Sequence, residues 1–304
     1  MRQEAGRRAD TMSKSDFPSI VTIGSLTRPG HTVFEFLCNS FPRISQSVWQ
    51  NRIESGKIFH ENGNPVEMPD IAILGNKIIY YREVENETII PFAEKILYAD
   101  EHILVVDKPH FLPVIPAGKY INETLLNRLK MSTGIDDMVP LNRLDRATAG
   151  IVLFSINKHS RDAFYNLFRK RLVYKSYKAV SLENPDIKDN RWRIENRIVR
   201  GDPWFRMKCS DGDDNGVNAI SNILLDKCDK GLCYFTLHPE TGQKHQLRVH
   251  MSLLGYPVVN DRLYPSLLPE EPDDYSNPLQ LLAEKISFKH PLTGKLQEFQ
   301  SEQI

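Results

Sequence analysis

The sequence predicts an α+β fold, because strand-like and helix-like segments are interspersed along the chain and hairpin signals outnumber β-α-β units. The composition is that of an ordinary globular protein: of 304 residues, 40% are hydrophobic and 26% are charged. A chain of this length predicts about two domains. We expect a flexible tail at 1–20, a small module at 21–87 and a large domain at 88–304.

The small module is predicted to contain two helices followed by a hairpin and a strand. Apolar residues recur at helical spacing in the first two segments, and Gly56 ends the second of them. Asn62-Gly63 is a strong turn signal between two short extended runs. In chain order the segments are TVFEFLCNSF, SQSVWQNRIESGKI, KIFHENGNPV and GNKIIYYRE.

The large domain is predicted to alternate buried strands with amphipathic helices. The predicted strands are HILVVDKP, GIVLFSI, YKSYKAV, NAISNILL, CYFTLH and the two runs of ISFKHPLTGKLQEF. The predicted helices are NETLLNRL, SRDAFYNLFRKRL and HQLRVHMSLLG.

Charge and composition exclude several classes of protein. Lys plus Arg and Asp plus Glu both number 39, which excludes a uniformly basic surface but allows a local basic cleft. No apolar run approaches the ~18 residues of a membrane helix. The first residues lack the apolar stretch of a secretory signal. Either Met1 or Met12 could be the start of translation. The four cysteines are sparse and irregular, which favours reduced thiols and a cytoplasmic protein.

The segment LNRLDRATAGIVLFS is the first candidate for chemistry. Asp145 lies in a polar turn that leads directly into an apolar strand, and Arg143 and Arg146 flank it. A carboxylate there is partly desolvated and kept ionised by guanidinium groups, as a nucleophile or base requires. For this segment alone, a turn aspartate paired to arginine for structure is the favoured interpretation, because structural ion pairs perturb carboxylates too.

The segment HPETGQKHQLRVHMSLLGYPVVNDRLY is the second candidate. Arg248 is permanently charged and presents a planar fork of donors, which suits a distant carboxylate or a phosphate. The alternative is an ordinary helix with a solvated face. His245 and His250 are five residues apart and do not share a helix face, so we expect no metal site here.

A third segment, SRDAFYNLFRKRLVYKSYKAV, interleaves cations with tyrosines. Cations bind phosphates and aromatic rings stack on bases, so the pattern favours nucleic acid. A solvated helix followed by an ordinary strand explains it equally well. No nucleotide-binding loop or second pair of zinc-ligand cysteines occurs in the sequence, so we expect no cofactor and no metal.

Together these segments resemble the RluA-type pseudouridine synthase family over about residues 92–299. LNRLDRATAG resembles the motif of the catalytic aspartate, YKSYKAV the strand that carries an active-site tyrosine, and TGQKHQLRVHMSLLGYPVVNDRLY the long signature that carries an arginine. VDKPHFLPVIP and FKHPLTGKLQEF resemble the family's early Lys-Pro motif and its closing hairpin. The N-terminal segment, about 31–85, resembles an alpha-L type RNA-binding module.

The resemblance implies a large mixed, mainly antiparallel sheet flanked by helices, and an isomerase that converts a uridine in ribosomal or transfer RNA to pseudouridine. It implies that Asp145 is catalytic, that Arg143 fills the position of the flipped base, that Tyr177 packs on the uracil, and that Arg248 partners the aspartate. Leu247 is implied to line the pocket. We expect a monomer that binds RNA and no membrane.

Two positions depart from the family pattern. Asn142 stands where the family usually has His, and Gln243-Lys244 stands where Arg-Thr or Lys-Thr is common. The first departure leaves open a non-catalytic RNA-binding or ribosome-assembly factor on the same scaffold. A metal-dependent nuclease is a third class, but it needs clustered carboxylates that the sequence lacks.

Overall fold

The structure, a computed structural model, describes residues 13–15, 18–24, 30–42, 44–84, 86–186, 188–210, 212 and 216–303. Both candidate start methionines and most of the predicted tail lie outside these ranges. The chain divides into two compact units: Met1–Thr88 with Gly118–Asn122, and Ile89–Ala117 with Glu123–Ile304. The predicted domain boundaries at residues 20 and 87 stay predictions.

The smaller unit contains both predicted helices and a three-stranded antiparallel sheet of order β2-β4-β3. Thr32 begins the first helix with a capping box, because its side chain accepts the Glu35 N–H and Glu35 accepts the Thr32 N–H. The elements are β1 (Ser13–Lys14), β2 (Ser19–Thr22), α1 (Val33–Ser40), α2 (Gln46–Glu54), β3 (Ile58–His60), β4 (Lys77–Tyr80) and β5 (Glu83–Val84).

The predicted hairpin at Asn62-Gly63 forms only in part. The chain turns at Gly63, which has a positive φ of 86°. The run after the turn makes a single bridge, between Pro65 and Phe59, while β3 pairs along its length with β4. Proline has no N–H to donate to a ladder, which explains why this run is not a strand.

The larger unit is built on a ten-stranded sheet of order β11-β14-β15-β10-β16-β9-β7-β6, with β17 beside β16 and β8 beside β9. β16 and β9 pair in parallel and the other pairs are antiparallel. The strands of this sheet are β6 (Lys95–Ala99), β7 (Ile103–Lys108), β8 (Val139–Pro140), β9 (Ala149–Ser155), β10 (Tyr174–Leu182), β11 (Arg191–Asn196), β14 (Ala219–Asp229), β15 (Leu232–Pro239), β16 (Leu281–Lys289) and β17 (Leu296–Gln300). The predicted mixed, mainly antiparallel α+β fold is therefore confirmed.

Three helices and a separate hairpin complete the larger unit: α3 (Leu125–Thr133), α4 (Arg161–Arg169), α5 (Gln246–Leu253), and the pair β12 (Ile198–Arg200) and β13 (Met207–Cys209). Phe164 and Leu167 of α4 pack on apolar side chains of β7, β9 and β16. Leu247 and Met251 of α5 pack on β10, β14 and β15. Among the described residues, no helix is long and apolar enough to cross a membrane.

The expectation of four reduced thiols is wrong for one pair. Cys228 and Cys233 form a disulfide, whereas Cys38 and Cys209 are free. A tight turn at Lys230 and Gly231, both with positive φ, joins β14 to β15 and places the two cysteines directly opposite each other. Their five-residue separation is therefore what a two-residue hairpin turn requires.

Gly150 is the position where backbone geometry most restricts the sequence. It has a φ of 113°, and a Cβ added there would lie well inside contact distance of the Ala283 carbonyl oxygen. The close approach arises because Gly150 of β9 pairs in parallel with Ala283 of β16. Glycine at this position lets the turn that contains Asp145 enter the sheet.

We predict that Gly150→Ala lowers the free energy of unfolding by at least about 2 kcal/mol, because the methyl group meets main-chain atoms that cannot move aside. Urea denaturation followed by circular dichroism measures the change. Gly212→Ala is the control, since its added methyl group meets no atom within 4 Å. Equal stability of the two variants would contradict the prediction.

Candidate active site

Asp145 lies in the turn between β8 and β9, in the larger unit. The turn is closed by a hydrogen bond in which the Thr148 N–H donates to the Asp145 carbonyl, at 3.1 Å. Asn142 also holds it, because its side chain bonds the backbone of β9 at Ile151 and Leu153. The departure at Asn142 thus has a structural role, which an asparagine side chain with one donor and one acceptor end can fill.

Two side chains at the end of β7 and just after it hold the same turn. Lys108 is completely buried, and its Nζ donates to the carbonyls of Pro109, Leu112 and Arg146 at 2.8, 2.8 and 3.2 Å. Burial lowers the pKa of Lys108 to about 7, but three carbonyl acceptors match the three N–H groups of its charged form. His110 Nδ1 lies 2.7 Å from the Ala147 carbonyl.

Arg146 ties this turn to the acidic loop at 269–278. Its two terminal nitrogens donate to the two carboxylate oxygens of Asp273, both at 2.7 Å. The loop itself is fastened by Tyr275, whose ring packs edge-on against Phe92 and Phe111 at centroid distances of 5.5 and 5.1 Å. A bidentate pair fixes orientation as well as distance, so the loop restrains the residue next to Asp145.

Arg248 joins Asp145 to a second carboxylate. It lies in the first turn of α5, and its Nη1 donates to Asp145 Oδ2 at 3.1 Å. Its Nε and Nη2 donate to the two oxygens of Asp261 at 2.7 and 2.6 Å. The side chains of Arg248 and Asp261 are 5% and 0% exposed, while that of Asp145 is 26% exposed. Of these three residues, Asp145 is therefore the one that solvent and a ligand can reach.

The surroundings of Asp145 keep it ionised. Burial raises the pKa of this carboxyl. Its electrostatic interactions with His245, Arg248 and Lys244 lower the pKa by a larger amount, to below its ordinary value. Burial also lowers the pKa of His245 to about 4, so this imidazole is neutral at pH 7. Arg248 and Lys244 therefore supply the stabilising charge near neutral pH.

His245 connects Asp145 to Tyr264. Its Nε2 lies 3.9 Å from Asp145 Oδ1, and its Nδ1 lies 3.0 Å from the Tyr264 hydroxyl. Its backbone has a left-handed φ of 56° at the N-cap of α5, a conformation uncommon outside glycine. Tyr264 in turn accepts the Met207 N–H at 2.8 Å, and Arg248 lies over its ring at 5.3 Å.

All five predicted site residues border one cavity of about 430 Å³. Tyr177 on β10 and Leu247 on α5 are part of its wall, and Arg143 is exposed at its edge. Burial, and then the charge of Asp145, raise the pKa of Tyr177, so its phenol stays neutral. The five residues are Arg143, Asp145, Tyr177, Leu247 and Arg248.

The basic and aromatic segment divides between this cavity and structural contacts. Arg169, Arg171 and Lys175 line the cavity. In contrast, Arg161 pairs with Asp137 and Lys178 with Asp226. The segment is thus neither wholly a binding surface nor wholly an ordinary helix and strand.

Sequence reasoning missed Lys108, Asp261 and Asp273 as parts of the site. Each acts through folding contacts with Arg146 or Arg248, and no spacing in the sequence signals those contacts. His250, which the sequence grouped with His245, is fully buried and pairs with Asn196 at 3.1 Å instead. Within the described residues, no group of three or more His, Cys, Asp or Glu side chains could hold a metal ion.

Known proteins resemble this chain in sequence and fold. A family model described as RNA pseudouridylate synthase matches residues 102–253. The dual-specificity RNA pseudouridine synthase RluA of Haemophilus influenzae is 31% identical over 222 residues, which are 70% of this chain and 94% of that protein. The ribosomal large subunit pseudouridine synthase D of Buchnera aphidicola is 27% identical over 287 residues, 88% of this chain and 89% of that protein.

A solved structure, human RNA pseudouridylate synthase domain containing 1, shares the fold with a TM-score of 0.57. It is 24% identical, and the match covers 71% of this chain and 86% of that one.

We predict that Arg248→Met lowers the free energy of unfolding by about 3–5 kcal/mol, because it leaves the fully buried carboxylate of Asp261 without its partner. Chemical denaturation measures the loss. Arg143→Met, at an exposed arginine on the edge of the same cavity, serves as control and should change stability by less than about 0.5 kcal/mol. A small loss in Arg248→Met would show that Asp261 does not depend on this guanidinium.

Proposed function

The chain belongs to the RNA pseudouridylate synthase family, which isomerises uridine to pseudouridine in RNA, and we propose that Asp145 carries this reaction in the cavity beside Arg248. One observation carries the proposal. Two side chains that are 103 residues apart in the sequence meet at 3.1 Å, and both border the cavity. The family's motifs put an aspartate and an arginine at these two positions.

One oxygen of the Asp145 carboxylate accepts a hydrogen bond, and the other can contact a substrate. Oδ2 accepts from Arg248, whereas within the described ranges Oδ1 accepts no hydrogen bond, and its neighbour His245 is 3.9 Å away. Oδ1 is therefore the atom we assign to the substrate. An ionised oxygen at a partly desolvated site is an effective nucleophile or base, and the geometry is compatible with action on either the ribose or the base.

The reaction balances without a redox partner. The bond between the ribose and a ring nitrogen breaks, the base rotates, and a bond to a ring carbon forms. The ring carbon loses a proton and the ring nitrogen gains one, so neither electrons nor net protons are consumed. The protein has only to hold the detached base and stabilise charge, which Arg248 and the walls of the cavity provide.

The cavity suits a uracil that has left the RNA stack. Extruding a base costs a few kcal/mol, which contacts with the protein must offset. We assign the packing of the uracil to Tyr177 and Leu247, and the filling of its vacated position to Arg143, which is exposed at the edge of the cavity. The neutral phenol of Tyr177 can lie near the Asp145 anion without repelling it.

A local basic surface suits the RNA backbone. Arg143, Arg169, Arg171 and Lys175 line the cavity although the chain has no net charge. Lysines and arginines that contact phosphates supply most of the affinity for nucleic acid. We further assign RNA binding to the small unit, on its resemblance to an alpha-L type module, and expect the protein to act as a cytoplasmic monomer.

Ribosomal RNA is the first substrate to test. The Buchnera aphidicola relative, which aligns over most of both chains, is named for the large ribosomal subunit. Transfer RNA is the alternative outcome of the same mapping experiment. The departure at Asn142 no longer favours a non-catalytic factor, because its amide bonds the backbone of β9.

We predict that pseudouridine mapping of total RNA, with and without this gene, shows at least one uridine modified only when the gene is present. Asp145→Asn should abolish the modification while retaining RNA binding, because the amide is nearly isosteric but cannot become an anion. Release of tritium from uridine labelled at carbon 5 measures turnover directly.

Asp189→Asn makes the same exchange of a carboxylate for an amide at an exposed position away from the cavity, and should retain turnover. Near-normal tritium release by Asp145→Asn would refute the catalytic assignment. Binding without any release by the unaltered protein would instead favour the non-catalytic factor.

We also predict that single-turnover rates at saturating RNA are constant between about pH 5.5 and 6.5, below the pKa of about 7 of the Lys108 ammonium that holds the turn. Asp145 must be ionised, so activity falls only as pH falls through its lowered pKa, and His245, with a pKa of about 4, stays neutral over this range. A rate that changes several-fold within this range would show that a histidine with an ordinary pKa controls it.

A further inference from the structure

The hairpin of β12 and β13 has a tip with an ordered backbone. Gly201 and Arg206 face each other, with the Gly201 N–H donating to the Arg206 carbonyl at 3.0 Å. The Arg206 N–H donates to Pro203 at 2.9 Å, and its guanidinium donates to the Pro265 carbonyl at 2.9 Å. The tip, residues 201–206, is therefore held by hydrogen bonds within the hairpin and by a hydrogen bond to Pro265.

Trp204 is presented to solvent at this tip. Its side chain is 52% exposed, although indole is among the most favourable groups to bury. The other two tryptophans are less accessible: Trp49 is 0% exposed, and Trp192 is partly buried against Phe235 and Tyr256. An exposed indole on an ordered backbone is preorganised to bind a planar partner.

A lysine links the indole to the active site. Lys244 Nζ lies 5.8 Å from the centre of the Trp204 ring and donates to the Phe205 carbonyl at 3.0 Å. Lys244 immediately precedes His245, and its charge contributes to lowering the pKa of Asp145. The indole therefore lies close to the edge of the cavity, next to a cation.

The end of the hairpin next to the tip is joined through Tyr264 to His245 in the wall of the cavity as well. The Met207 N–H of β13 donates to the Tyr264 hydroxyl at 2.8 Å, and that hydroxyl is 3.0 Å from His245 Nδ1. The position of the tip relative to Asp145 is thus fixed through hydrogen bonds rather than left to a free loop.

We propose that Trp204 stacks on a nucleobase that flanks the target uridine, while Lys244 contacts the phosphate between the two nucleotides. The proposal rests on the proposed function, since it takes Asp145 as the point where the target base is bound. Stacking on an aromatic side chain tolerates any base, because every base has a π-face. Trp204 would accordingly add affinity and hold the strand open beside the cavity without reading sequence.

The kinetic test compares Trp204→Ala with Trp204→Phe. The substrates are ribosomal RNA and bulk transfer RNA from cells that lack the gene, whose target uridines are unmodified. Trp204→Ala should raise KM by about 5- to 150-fold and leave kcat unchanged, as expected for the loss of one stacked base. Trp204→Phe keeps an aromatic face and should raise KM by less than about threefold. Leu296→Ala, at a side chain 69% exposed on β17, is the matched control and should change neither constant.

A spectroscopic test separates binding from turnover. In the Asp145→Asn background, RNA should quench tryptophan emission, and Trp204→Phe should remove most of that quench, because Trp49 is buried and Trp192 is covered in part by Phe235 and Tyr256. A merely structural role for Trp204 would not produce this difference.

The proposal is overturned if Trp204→Ala changes KM by less than twofold, if it lowers kcat alone, or if the quench survives Trp204→Phe. Failure of the proposed function looks different, because the unaltered protein would then release no tritium whatever residue stands at 204. Circular dichroism of Trp204→Ala checks its folding, and Trp204→Phe gives an independent answer if the alanine variant is unstable.

Discussion

The proposed active site depends on how one guanidinium group is shared between two carboxylates. Arg248 gives two of its donors to Asp261 and one to Asp145. Asp261 also accepts the N–H groups of Leu263 and Tyr264, so its charge is fully compensated inside the protein. Asp145 receives a single bond and has partial access to solvent. The same cation can therefore hold its own position through one partner and leave the other partner reactive.

The turn that carries Asp145 is held by groups from distant parts of the chain. Lys108 and Asn142 bind its backbone or the adjoining strand, Asp273 binds Arg146, and Gly150 lets it enter the sheet beside β16. Displacing a reacting group by 1 Å can cost a factor of a hundred in rate, so such restraints matter to catalysis. They also explain why the acidic loop at 269–278 lies near a site that must attract RNA. Asp273 is already paired with Arg146, which reduces its repulsion of phosphate.

The sequence predicted those parts of the fold whose signals are local. The apolar runs of β7 and β9 and the periodic faces of α4 and α5 reflect short-range geometry. The short strands of β12 and β13 carry no alternation long enough to detect. The pairing of Arg248 with Asp145 followed from motif resemblance, whereas that of Arg248 with Asp261 depends on the path of the chain after α5. Long-range contacts of single residues leave no periodic trace in a sequence.

The chemistry of the site and its recognition of RNA differ in how far a sequence reveals them. The reacting groups are few, and their residue types are dictated by the need for an anion, a cation and a neutral ring, so they stand out even in an isolated sequence. Binding an RNA strand requires only cations and flat apolar faces at suitable distances, and many residue types at many positions can supply them. The hairpin that presents Trp204 is proposed to be such a solution: its strands are short, its tip is held by main-chain hydrogen bonds, and its contacts with Lys244 and Tyr264 help to place it beside the cavity. Affinity of this chain for RNA is therefore expected to depend in part on elements outside its motifs.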